Sequence, residues 1–213
     1  MSYLRPGKIR RVALSAAVLG GAMASMGVLA SQAGASPARP DATKSVTYSV
    51  SCNLGILGTN TLTGALTTNY TTPVKAGVAT TVTGSGDLVI AKALANAGYA
   101  LGARSFAGSI TTLNFDSTDA SPSPLNAAGS SGINIPKTPV VKNQPITLLI
   151  PSSGTISVSA TAGTPGTDTT TLSNSAATVT LYNKSGAAIT TIAATCNAPT
   201  KKTVVAVIKV KAA

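Results

Sequence analysis

The chain has no histidine, no tryptophan and no glutamate. Without histidine, the usual base that deprotonates a nucleophilic serine is missing, which removes the ordinary serine-hydrolase triad. Paired-carboxylate chemistry would fall to the five aspartates alone. Aromatic residues make up only 3%, and apart from the last stretch the basic residues are spread along the chain. A nucleic-acid binder concentrates its cations and interleaves aromatics, so no nucleic-acid partner is expected. No phosphate-cradling glycine loop follows a strand, and no cofactor motif is present, so no cofactor is expected.

Losing glutamate also starves the chain of a common helix former. Thr, Ser, Ala, Val and Gly fill its place, and the β-branched residues among them suit a pleated surface. Composition therefore points to an all-β protein.

The first eleven residues carry Arg5, Lys8, Arg10 and Arg11. An apolar run from Val12 to Ala30 follows, then Ala33-Gly34-Ala35 and Ser36-Pro37. A basic start, an apolar middle and small residues before a polar stretch are the layout of a secretory signal. Cleavage is expected after Ala35, with Ala30 as the second choice, giving a 1–35 signal peptide. An uncleaved anchor is the alternative reading, since a bilayer takes roughly 20 apolar residues, but Gly20-Gly21 and many Ala and Ser weaken the run. Arg10-Arg11 hints at twin-arginine export, and the residues after it fit that signal poorly. The far end shows no sorting motif, so the product is expected outside the cell, free or held by non-covalent contacts, with no integral membrane segment after cleavage.

Beyond Ala35, twelve Lys and Arg face five Asp, a net charge of +7. That charge favours solubility and weak adhesion to anionic envelope polymers or lipid surfaces. An exported chain with an even cysteine count reads as disulfide-bonded, and Cys52 and Cys196 allow one pairing. The bond would close a loop of 144 residue steps. Chain entropy values such a loop at roughly 5 kcal/mol as an upper figure.

After a flexible 36–44 stretch, Ser45 to Cys52 alternates cleanly, with Val46, Tyr48, Val50 and Cys52 on one face. Thr61–Thr72 and Val78–Thr83 read as further strands. Asp87 to Leu101 reads as a short connecting helix, with Asp87 as its cap and Gly98 as its end. Phe106–Phe115 returns to strand character. The segment 116–143, with Pro122, Pro124, Pro136 and Pro139, reads as a long loop or a seam between sub-sheets. Ile146–Ile150, Thr155–Ala160, Ala176–Tyr182 and Ala187–Cys196 follow as strands, the last two joined by a turn at Asn183-Lys184-Ser185-Gly186. About eight short strands at this spacing suggest one immunoglobulin-like antiparallel β-sandwich over 45–199. The basic 200–213 segment reads as a strand with lysine-guarded edge or as an adhesive tail.

Two weak chemical candidates remain. Ser130, within Ala128-Gly129-Ser130-Ser131-Gly132, matches a relaxed nucleophile elbow, but a true elbow lies between a strand and a helix. Asp116 and Asp119, with Ser117 and Thr118, could bind calcium weakly, or act as a turn.

The stretch Val46-Thr47-Tyr48-Ser49-Val50-Ser51-Cys52, Gly58 after it, Pro73 with Gly77, the Ala91–Gly108 segment and the late Cys196 carry a resemblance. They resemble small secreted actinobacterial β-sandwich proteins of unknown function, some of which bear the label cholesterol esterase. The resemblance implies a cysteine-closed sandwich and, through the label, an extracellular lipid ester hydrolase. No catalytic residue carries over to a chain without histidine. The expected function is a non-catalytic structural or binding role at or outside the cell envelope, with the lipid esterase as alternative.

Overall fold

A computed structural model describes residues 42–213. The signal segment, its cut after Ala35 and residues 36–41 lie outside the described residues. Twelve strands and one helix follow in order: β1 (Ala42–Asn53), β2 (Thr59–Tyr70), β3 (Val74–Lys75), β4 (Ala79–Ile90), α1 (Lys92–Ala100), β5 (Ser105–Ser117), β6 (Leu125–Asn126), β7 (Ile133–Pro139), β8 (Ile146–Ile150), β9 (Ile156–Thr161), β10 (Gly166–Tyr182), β11 (Ala188–Cys196) and β12 (Val204–Lys211). A 3₁₀ turn, Gly55–Leu57, joins β1 to β2.

The fold is all-β, with one connecting helix and a Cys52–Cys196 disulfide. Its strands form one continuous sheet with the backbone path β3-β12-β10-β11-β1-β2-β4-β8. β4 carries β8 and β9 at successive positions along its length. β10 is the long spine: β5 runs along one of its edges, and β12 and then β11 occupy the other. The β5 edge beyond is filled by β7 and β6.

The sheet curls on itself. β1 pairs in full register with β2 on one side, but meets β11 at only two positions, Cys52↔Cys196 and Asn53↔Thr195. At the opposite margin β6 approaches β9 and β7 approaches β8. A bridge there exchanges Thr161 N–H to Ser121 O at 2.8 Å and Ser121 N–H to Thr161 O at 3.0 Å. Inward faces from both stretches share one core, in which Val50, Cys52 and Leu62 meet Phe106, Ile110 and Leu181. Each such Leu, Ile or Phe, taken fully from water, contributes about 1.5–3 kcal/mol.

Period-two burial in β1 follows its sequence, with Ser and Thr outward. The strand begins at Ala42, so residues 42–44 are ordered sheet rather than part of a flexible stretch. Gly186 turns the β10–β11 hairpin with φ +85°, and its N–H donates to Asn183 O at 3.1 Å.

Three further expectations need correction. β4 does not end at Thr83 but runs to Ile90, so Asp87 lies in a strand and caps no helix. Its Oδ1 instead accepts the Ala65 N–H at 2.7 Å. α1 begins at Lys92 with Ala91 at its cap and no side-chain capping bond. It passes through Gly98, and the turn beyond it is made by Gly102 at φ +92°. The 116–143 segment is not one loop, because β6 and β7 within it pair with β5.

The 200–213 segment resolves as a strand. β12 pairs with β10 and in parallel with β3, and buries Val205, Ala206 and Ile208 almost completely.

Candidate functional site

A cavity of about 210 Å³ lies between the curled faces. Its lining reaches from Leu94 on α1 to Val205 on β12. Its walls are mostly aliphatic, with Phe106, Phe115, Tyr48 and a few threonines and serines among them, and no charged side chain lines it. Leu66 and Leu88 on one wall and Leu113 and Val179 on the other pack against the core, yet are only half-buried, because they border this space.

The sequence builds this space through small residues at inward positions. Ala177 on β10, next to Ile110 and Ala194 in register, lines the cavity where a branched residue would fill it. Tyr48 is the titratable side chain in the wall, beside hydroxyls such as those of Thr68 and Ser175. Its hydroxyl donates to the Asp87 carbonyl at 3.0 Å. Burial first, and then the Asp87 negative charge, push its phenol up to about 12. The ring lies against Gly64, where a Cβ would stand 2.6 Å from the Tyr48 Oη. With its hydroxyl engaged and its phenol neutral, Tyr48 presents carbon to the cavity.

A void of roughly 150 Å³ lined by Leu, Ile and Phe stays dry and binds benzene. The larger space here suits an uncharged aliphatic group and rejects an ion, which would be stripped of water with no charged partner.

The residues singled out from sequence stand apart from this cavity. Ser130 is exposed in the turn between β6 and β7 and does not line it. Asp116 is exposed on β5. Asp119 Oδ2 is engaged by Thr164, accepting its N–H at 2.6 Å and its hydroxyl at 3.0 Å. Among the described residues, no group of three or more cysteines and acids could hold a metal ion.

The carboxylate that organises this turn is Asp168, which no motif marks. Asp168 is 2% exposed. Its Oδ1 accepts the Ser117 hydroxyl at 2.7 Å, the Thr118 hydroxyl at 3.0 Å, and the N–H groups of Thr118 and Asp119 at 3.1 Å each. It fastens the end of β5 to the start of β10. An acid inside the Thr-rich run Thr167–Thr171 was the available signal.

Among the described residues no helix is long and apolar enough to cross a membrane. No family model, curated protein or solved structure matches the chain.

Proposed function

We propose that the protein is an exported, non-catalytic binding protein that holds an uncharged aliphatic ligand inside its curled sheet. The cavity carries this reading: about 210 Å³ of apolar space without a charged lining residue. The disulfide supports export, since such bonds persist in oxidising compartments. The basic, apolar and small-residue order of residues 5–35 supports a cleaved signal. The two inward faces that meet in one core support an immunoglobulin-like layering.

A binding role suits the chemistry better than ester hydrolysis. Ser130 has no histidine to activate it anywhere in the chain, and it lies outside the cavity lining.

The test is calorimetric titration of the purified protein with n-octanol, run beside a hydrolysis assay with p-nitrophenyl octanoate. Saturable one-to-one octanol binding without turnover is the expected result. Turnover that disappears in Ser130→Ala would overturn the non-catalytic reading, and absence of octanol binding would overturn the cavity as its site.

A further inference from the structure

We infer that the α1 end of the molecule docks on an anionic lipid surface, from which the cavity takes up its aliphatic ligand; the uptake rests on the cavity reading above. Six large apolar side chains are conspicuously exposed among the described residues, and four of them, Ile56, Leu101, Val141 and Ile189, belong to segments at this end. Ile56 is 67% exposed. These four come from the 3₁₀ turn, the α1–β5 turn, the β7–β8 connection and the start of β11, and only the fold brings them to one end.

The contacts that do so are specific. The 3₁₀ turn packs against both α1 and β11. A Cβ on Gly102 would meet Ile189 Cδ1 at 3.8 Å. The β7–β8 connection is tied to α1 by two bonds: the Asn143 N–H donates to Asn96 Oδ1 at 2.7 Å, and the Asn96 amide donates to Asn143 Oδ1 at 3.1 Å. The Val140 N–H donates to Arg104 O at 2.9 Å. Exposed apolar groups held this way on separate segments form a surface that water penalises and a lipid interface rewards.

Charge at this end has one sign. Lys92 opens α1, Lys142 follows Val141, and Lys184 sits in the β10–β11 turn, all exposed. Arg104 stacks on the Tyr99 ring at 3.6 Å from its centroid, with its guanidinium bonded to the Tyr99 and Ala103 carbonyls. No acid lies on these segments. Asp116, Asp119 and Asp168 are at the opposite ends of β5 and β10, and Asp87 is bonded within the sheet. Apolar tips set among lysines complement the anionic headgroups of a bilayer. Each lysine near such a surface is worth roughly fivefold in partitioning.

The cavity begins beneath this surface. Leu94, Ala95 and Gly98 of α1 line it. A chain leaving the bilayer under α1 would move from one apolar medium into another.

The experiment is co-sedimentation of the purified protein with vesicles of phosphatidylglycerol and phosphatidylcholine, and of phosphatidylcholine alone. Binding is expected to the anionic vesicles and to fall steeply with salt. Lys92→Gln/Lys142→Gln/Lys184→Gln should weaken it about a hundredfold, by the same fivefold per lysine. Ile56→Ser/Leu101→Ser should weaken it while leaving octanol binding in solution intact. Absence of binding to anionic vesicles, in a protein that still binds octanol, would overturn the docking and leave the cavity reading standing. Vesicle binding unchanged in the apolar variant, or lost instead on neutralising Lys201 and Lys202, would also overturn it. Failure to bind octanol would remove the uptake, while the vesicle result would judge the docking on its own.

Discussion

Cys52 and Cys196 are register partners in a ladder of only two residue pairs, and the disulfide between them joins neighbouring strands of the same sheet. Everything from β4 to β1 hangs on one side of that seam, and everything from β11 to β5 on the other. Two backbone pairs are a weak hinge. The covalent bond reinforces this seam, while the Ser121–Thr161 bridge ties the opposite margin of the curl.

Replacing both cysteines by alanine is therefore expected to cost about 2–5 kcal/mol. Urea unfolding with far-ultraviolet circular dichroism measures this as a lower midpoint. Amide exchange should rise first at Asn53 and Thr195, beside the missing bond. An unchanged midpoint would mean that the seam closes without its sulfurs.

Tyr48 makes stability depend on pH in the alkaline range. Its phenol is held near 12 in the folded protein against about 10 when unfolded, so the unfolded chain loses its proton first. Stability is full below pH 10 and falls as pH rises from 10 to 12, by at most about 2–3 kcal/mol. Tyr48→Phe should flatten this part of the profile, at a cost of about 1 kcal/mol at neutral pH for the lost bond to Asp87 O. Urea midpoints from pH 8 to 11.5 read both effects.

Gly64→Ala should destabilise the fold by about 1–3 kcal/mol, because the new methyl would overlap the Asp87 carbonyl first and the Tyr48 hydroxyl beside it. Tyr48→Phe in the same chain should give little relief, since the backbone carbonyl of Asp87 remains the closest obstruction. A thermal-melt comparison of the two single variants and the double variant decides it.

Asp168→Ala should cost about 2–4 kcal/mol, leaving the donors on Ser117, Thr118 and Asp119 without their acceptor. Limited proteolysis should then cut first near Thr118. Asp116→Ala, with its carboxylate on the surface, should leave the cutting pattern unchanged.

Strand content was legible because burial on one face writes a two-residue period, as in Val46, Tyr48, Val50 and Cys52. The pairing of the cysteines was legible because there were only two. The extent of β4 was not: the strand pattern of Val78–Thr83 stops at glycines, yet Gly84 and Gly86 lie in the strand where the neighbouring β2 backbone comes close, at Thr67 and Ala65. The role of Asp168 was hidden by distance, since its partners lie 49–51 residues away in sequence. The cavity was hidden for the same reason. Its walls reach from Tyr48 to Val205, and the curl that leaves them apart is set by tertiary pairing, not by any local pattern.

The most direct test of the binding cavity compares the melting temperature of the native protein and of Ala177→Leu, each with and without n-octanol. Octanol should raise the native melting temperature, because a ligand bound only by the folded state stabilises it. The variant should melt higher than the native protein on its own, by filling space that costs stability, and should gain nothing further from octanol. An octanol-induced rise that persists undiminished in Ala177→Leu, or no rise in either protein, would contradict the account.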